Sequence, residues 1–514
     1  MEEIKGTQVK KGAILSYLQI ALNIIIGLLY TPIMIRLLGQ SEYGLYNTVS
    51  STISMLSILS LGFNAGYVRY YAKYKKDDDY NSIYKLNGMF LLIFIFIGLI
   101  AFLCGFFLTL HLDIVFDKGL TSSELHTAGI LMLILTFNLA ESFPASVFST
   151  IISANEKFVF LKFLGMIKSV LGPFITLPLL LMGYGSIAMI SVSFIVTLGV
   201  DIIYTWYVLK RLNNKFIFHD FEKGLFKQLS IYTSFIALNM VVDQINWNID
   251  KILLGRFRGT VSVAVYSVGY SLFNYYLMLS TSISGVFTPR IHSIVVECSN
   301  NIALLKNKLT DLFIKVGRIQ YIILALVASG FVFFGKEFIF LWAGYGYNES
   351  YFVALLLIFP GTIALIQNMG IEMQRAQNLH QFRSVVYLFM AFLNLGLSII
   401  CAQLYGAVGC AFGTAISLIV ANGIIMNIYY YKKCNIDVLL FWKEIVQMSK
   451  GLLLPIATGI LWDIFIKYNS INIMLVGIIL YVVVYFLSMY HFSMNEEEKG
   501  YILLIFNKII RRNK

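Results

Sequence analysis

Fourteen apolar stretches, each long enough to cross a bilayer, constrain this chain more than any other feature. A helix needs roughly 20 predominantly apolar residues to span the hydrocarbon core. Such stretches run at 13–38, 43–70, 86–110, 125–152, 158–182, 186–209, 229–254, 261–288, 312–334, 352–373, 385–404, 408–431, 446–466 and 471–492. A transmembrane β-barrel would instead show shorter segments of alternating hydrophobicity, and no such alternation is sustained here. Hydrophobic residues make up 58% of the chain and charged residues 13%. The expected fold is an all-α polytopic membrane protein with about 14 transmembrane helices.

The loops set the orientation. Cytoplasmic loops carry an excess of Lys and Arg. With the N-terminus in the cytoplasm, thirty-one of the 39 basic residues fall on the cytoplasmic side. The outer side receives only Arg36, Lys118, Lys251, Arg256, Arg258, Lys336 and Lys467, and Lys168 sits within a span. Both termini are therefore expected in the cytoplasm. The net charge of +12 is mostly this topology signal, dispersed over many turns beside anionic headgroups, and it does not point to nucleic acid. The first span lacks a small-residue cleavage site after it and reads as retained.

The loops also exclude several functions. None is long enough for a soluble catalytic domain, and no Walker-type glycine loop occurs, so ATP hydrolysis and enzyme chemistry are not expected. Cys104, Cys298, Cys401, Cys410 and Cys434 are scattered. No CxxC and no His/Cys spacing suits a metal. No cofactor is called for.

An internal repeat is visible. Ile20-Ala21-Leu22-Asn23 recurs as Ile236-Ala237-Leu238-Asn239, and Leu37-Leu38-Gly39 recurs as Leu253-Leu254-Gly255 at the same spacing. A four-residue insertion then aligns Tyr46 with Tyr266. The copies begin six spans apart, and an even number of intervening spans gives parallel repeats about an axis along the membrane normal. The expectation is two six-helix bundles in pseudo-twofold relation, residues 1–212 and 229–432. A cytoplasmic linker at 213–228 would join them, with two further spans at 433–492 and a basic amphipathic tail at 493–514. The apolar Gly500–Arg512 segment is too short to span and suits the interface.

Two segments carry a family likeness. The first is Thr31-Pro-Ile-Met-Ile-Arg-Leu-Leu-Gly-Gln-Ser-Glu-Tyr-Gly-Leu-Tyr-Asn47. The second is Asn248-Ile-Asp-Lys-Ile-Leu-Leu-Gly255 followed by Val265-Tyr-Ser-Val268. With the Leu-Ser-Leu-Gly62 turn ahead of Arg69, they resemble the polysaccharide transporter family, the O-antigen and capsule flippases. That family belongs to the multidrug, oligosaccharidyl-lipid and polysaccharide exporter superfamily. The resemblance extends over essentially the whole chain. It implies a flippase in a bacterial inner or plasma membrane, moving an undecaprenyl-pyrophosphate-linked oligosaccharide to the outer leaflet without making or breaking a bond. It also implies a polymerase and glycosyltransferases of the same pathway as possible partners. A cation-coupled multidrug antiporter and a lipid II-type flippase remain alternatives.

Charged groups at membrane depth are costly and usually face a bundle interior or a wet cavity. In the seventh span Asn239, Asp243, Asn246 and Asp250 follow at steps of four, three and four and share one helical face. They make either a cavity wall or cation site, or a seam that glues helices. Asp250 has the further option of pairing with Lys251 or Arg256. Asp243, about two turns deeper, is the candidate for coupling to H⁺ or Na⁺. Ser16, Gln19, Asn23 and Tyr30 form a similar uncharged stripe in the first span, and Ser50, Ser54, Ser57 and Asn64 extend it in the second. Glu141 and Lys168 either neutralise each other or leave Glu141 to carry a proton. Asp201 and Asp463 stand isolated. The pyrophosphate that the resemblance implies needs cations, and Arg pairs phosphate oxygens bidentately. Candidates are Arg36, Arg69, Lys168, Arg256, Arg258, Arg290 and Arg375, with Arg375 three residues from Glu372 and able to pair locally. The seven prolines fall in or at the ends of spans, where each removes a backbone donor and kinks its helix.

Overall fold

A computed structural model describes residues 2–116, 119–221, 224–298, 300–466 and 471–500. Among the described residues every regular element is helical, as a backbone in hydrocarbon requires when its polar groups must be satisfied locally. Apart from Gly500, the expected tail helix lies outside the described residues.

In chain order the helices are α1 (Glu2–Met55), α2 (Phe63–Lys76), α3 (Tyr80–Leu110), α4 (Leu112–Val115), α5 (Ser122–Ala154), α6 (Phe158–Leu181) and α7 (Gly185–Trp206). They continue with α8 (Leu225–Phe257), α9 (Thr260–Glu297), α10 (Ile302–Ala343), α11 (Glu349–Ile366), α12 (Met369–Ala376) and α13 (His380–Leu418). The last are α14 (Met426–Lys433), α15 (Val438–Met448), α16 (Leu453–Phe465) and α17 (Ile471–Phe492).

Among the described residues ten helical stretches are long and apolar enough to cross a membrane, or eleven if the bent pair Leu225–Ile231 and Ile236–Phe257 counts as one span. This is fewer than the fourteen expected, for physical reasons. Two of the ten, Ile14–Lys76 of 63 residues and His380–Lys433 of 54, run through breaks. A straight helix of the first length would extend about 95 Å, three times the hydrocarbon core. Gly39, at φ 76° and ψ 170°, interrupts it, in a region that a residue without Cβ enters freely. Gly406, at φ 59°, interrupts the second. There the chain folds back sharply, since a Cβ on Gly409 would lie 2.1 Å from the Cys401 carbonyl oxygen. The third reason is α9, whose Ser, Thr and Tyr content keeps it out of the ten.

The repeat has a structural counterpart. Gly259, between α8 and α9, has φ +83°, close to the +76° of Gly39. The four-residue insertion brings Gly259, rather than Gly255, opposite Gly39. All seven prolines lie in helices: Pro32, Pro144, Pro173, Pro178, Pro289 and Pro360 in helix interiors and Pro455 in the first turn of α16.

The chain divides into two compact units, Met1–Ser267 with Tyr387–Cys410, and Val268–Val386 with Ala411–Lys514. In the first, α5 is central and packs on α1, α2, α3 and α7, while α1 also packs on α6 and α8. Its aromatic core runs through Tyr67, Phe90 and Phe94, with the Tyr67 and Phe90 rings edge to face at 5.1 Å. The buried Tyr67 hydroxyl donates to Asn87 at 2.6 Å. The Lys215–Ile217 stretch of the linker is pinned to the N-terminal part of α3. Asn87 donates to the Lys215 carbonyl at 3.0 Å, and the Ile217 amide donates to the Tyr84 carbonyl at 3.0 Å. In the second unit α10 is the hub, packed on α11, α15, α16 and α17.

Candidate functional site

In the first unit, α5, α6 and α7 pack together and bring three ionisable side chains near one another. Glu141 lies on α5, Lys168 on α6 and Asp201 on α7. Glu141 sits about 20 Å before the end of α5, Lys168 about 15 Å after the start of α6 and Asp201 about 8 Å before the end of α7. Glu141 interacts electrostatically with Asp201 and Lys168, and Asp201 with Lys168. The expected neutralisation of Glu141 by Lys168 does not take the form of a direct ion pair. Asp201, isolated in the sequence, is the third member of the group. Both carboxylates are half-buried and Lys168 is exposed. Glu141 Oε2 is buried without a hydrogen-bond partner. Two carboxylates and one ammonium leave one negative charge in excess. At membrane depth each charge is costly, on the order of 2.5–3.5 kcal/mol on insertion scales. The arrangement can therefore take up and release a proton, or hold a monovalent cation, at Glu141.

One uncharged group of α1 reaches the same region. The Gln19 amide packs over Gly165, one turn before Lys168, with its nitrogen 2.7 Å from where a Cβ would stand. Asn23, one turn further along α1, is half-buried. Asn64, beyond the left-handed Leu61–Gly62 turn, is half-buried with a buried Oδ1 that meets no donor.

The α8 stripe is not uniform. Asp250 is fully buried and accepts the Tyr266 hydroxyl at 2.7 Å, a partner the sequence did not suggest. Asp243 is exposed, and Asn239 and Asn246 are half-buried. The α8 contacts to the second span run along the neighbouring face. Gln244 donates to Ser57 at 3.0 Å and Asn248 donates to Gln244 at 2.6 Å. These two amides were missed because only the charged stripe drew attention.

Within the first unit Arg36 and Arg69 do not gather in one place. Arg36 precedes the Gly39 break and Arg69 lies on α2, with roughly 40 Å of helix between them. Both are exposed. In the second unit Arg290 is 3.4 Å from Glu297, and Arg375 is 2.6 Å from Glu372, the local pair its spacing suggested. Arg258 is drawn to the carbonyls of Ala402, Gln403 and Leu404 beside the Gly406 turn. Arg318, which reads in the sequence as one more cytoplasmic charge, is buried. It donates to both oxygens of Glu498 at 2.7 and 2.8 Å, to Glu444 at 2.8 Å and to the Ser493 carbonyl at 2.9 Å. Only its partners, more than a hundred residues away in the chain, distinguish it from its neighbours.

Among the described residues no group of three or more His, Cys, Asp and Glu side chains comes together as a metal site would require. The fold is similar to that of the lipid II flippase MurJ in an inward closed conformation. That match has a TM-score of 0.70 at 15% identity and covers 93% of this chain and 97% of that one. It is also similar to an inward-facing multidrug resistance MATE family transporter of the MOP superfamily, with a TM-score of 0.66, 13% identity, and 84% and 99% of the two chains covered. A MOP superfamily transporter from Pyrococcus furiosus matches with a TM-score of 0.57 at 14% identity, over 82% and 96% of the chains. No curated protein sequence matches it. The sequence profile of one family, described as polysaccharide biosynthesis protein, matches residues 9–295. With more than half of its length matched, the chain belongs to the polysaccharide biosynthesis protein family, and its fold is one it shares with MOP transporters.

Proposed function

We propose that this protein flips an undecaprenyl-pyrophosphate-linked oligosaccharide from the cytoplasmic to the outer leaflet of a bacterial inner or plasma membrane. The family match over residues 9–295 carries this reading. It works by alternating access of two six-helix bundles, residues 1–212 and 229–432, and makes or breaks no bond. Both termini are cytoplasmic, and the polymerase and glycosyltransferases of the pathway are its working partners. The extent of the fold likeness supports a lipid-linked substrate. The MurJ match covers 93% of this chain and the MATE match 84%, so the former takes in more of the chain.

The amides and hydroxyls of Gln19, Asn23, Asn64, Asn239 and Asn246 suit a glycan, which offers and accepts many hydrogen bonds. Cations among Arg36, Arg69, Lys168, Arg290 and Arg375 meet the pyrophosphate, whose oxygens a guanidinium can pair bidentately. Coupling to H⁺ or Na⁺ falls to Glu141, with Asp243 as the second carboxylate. Reconstitution tests the reading: purified protein in liposomes should move a short-chain polyprenyl-pyrophosphate oligosaccharide to the opposite leaflet. Failure to move it, with lipid II moved instead, would favour the lipid II-type flippase, the reading that the MurJ likeness also supports.

A further inference from the structure

The end of the first unit opposite its Lys-rich turns is tied shut around one carboxylate. Glu124 sits in the first turn of α5. Its Oε1 accepts the hydroxyls of Ser41, at 2.5 Å, and Thr260, at 2.7 Å. Ser41 and Thr260 are themselves 3.1 Å apart. Its Oε2 accepts the amide and hydroxyl of Thr121 at 2.8 and 2.9 Å, completing a capping box. Three separate turns thus meet on one side chain: the one after Gly39, the start of α5, and the α8–α9 turn. A carboxylate only accepts, and hydrogen bonds to a charged acceptor are roughly twice as strong as neutral ones.

Backbone closeness at the same end points the same way. A Cβ on Gly44 would lie 1.8 Å from the Thr260 carbonyl oxygen, and one on Gly119 would lie 1.7 Å from that of Gly255. No other residue fits at either position without displacing the α8–α9 turn.

We infer that Glu124 is the catch of a gate at this end of the protein, holding the α8–α9 turn against α1 and α5 until transport opens it. The inference rests on the alternating-access reading: Ser41, Glu124 and Thr260 lie in one compact unit, and Thr260 alone belongs to the second sequence repeat. Opening must then separate Thr260 from both. The bonds lie at the end of the unit that the charge pattern expects at the outer surface.

The test reads accessibility, so it needs no knowledge of the substrate. Ser51 is buried on the same face of α1 as Gly44 and Thr48, about two turns deeper. Ser51→Cys in the full chain, with the five native cysteines replaced, should react slowly with an impermeant thiol reagent applied from that side in oriented vesicles. Adding Ser41→Ala with Thr260→Val removes both catch bonds and leaves the Thr121 capping box intact. Labelling should then rise about tenfold, the effect expected from losing hydrogen bonds to a charged acceptor. Gly44→Ala should raise it as well, by wedging the turn away. Unchanged labelling in both variants, with the melting temperature preserved, overturns the inference. In the opposite direction, oxidation of Ser41→Cys with Thr260→Cys should stop export of the glycan, and reductant should restore it. Export continuing in the cross-linked protein also overturns the inference. Failure of the flippase reading would show as absent export in every variant, with the labelling result unaffected.

Discussion

The Tyr266 hydroxyl donates to Oδ2 of Asp250 at 2.7 Å, and both side chains are fully buried. The bond ties α9 to α8 across the tight turn at Gly259. A buried charge without sufficient partners is expensive, and the adjacent Lys251, also buried, interacts electrostatically with the same carboxylate. This surrounding assigns Asp250 to holding the α8–α9 hairpin. Tyr266→Phe should therefore cost about 1–3 kcal/mol. A fall in melting temperature of the detergent-solubilised protein would register it, and an unchanged melting curve would rule this role out.

Arg318 should be the most sensitive cation in the second unit. Its side chain and that of Glu498 are 6% and 7% exposed, and removing one partner of a buried pair costs about 3–5 kcal/mol. Arg318→Leu should lower the melting temperature sharply. Arg318→Lys should not rescue it, because an ammonium cannot span both oxygens of Glu498 and reach Glu444. Rescue by lysine would mean that charge alone suffices there.

Glu141→Gln should leave the protein inserted and folded while removing the dependence of flipping on a proton or Na⁺ gradient. Reconstituted transport measured with and without each gradient decides it. Retention of wild-type gradient dependence would leave the Glu141, Lys168 and Asp201 group as a packing feature.

Asp79 caps α3, accepting the Ser82 hydroxyl and amide. Those hydrogen bonds from Ser82 hold its carboxyl below the usual range. A carboxyl with a lowered folded pKa stabilises above its unfolded value and loses that contribution as pH falls through the folded one. Hydrogen exchange at the start of α3 should accordingly quicken only in strongly acid solution in the wild type, and at neutral pH in Asp79→Ala. Equal protection in the two at neutral pH would exclude the cap.

His219 in the 213–228 segment is highly exposed. His219→Cys, in a background without native cysteines, should resist an impermeant thiol reagent in intact cells and react in inverted vesicles. Labelling in intact cells at the level of an outer-loop control would reverse the orientation.

The sequence by itself determined an all-helical chain of apolar, membrane-length runs and the family to which it belongs. Those properties depend on the length of apolar runs and on local motifs, which act within a single span. Glu372–Arg375 was legible for the same reason, since three residues is one helical turn. Tertiary structure alone decided which polar groups meet. Asp201 joined Glu141 and Lys168 because α5, α6 and α7 pack side by side, and no spacing along the chain encodes that. Nothing in the sequence singled out Glu124 before the α8–α9 turn brought Thr260 to it. Arg318 looked like its cytoplasmic neighbours until Glu444 and Glu498 closed around it. Even the span count was a tertiary question, because whether a long apolar run is one helix or two depends on a glycine's backbone angle at its middle.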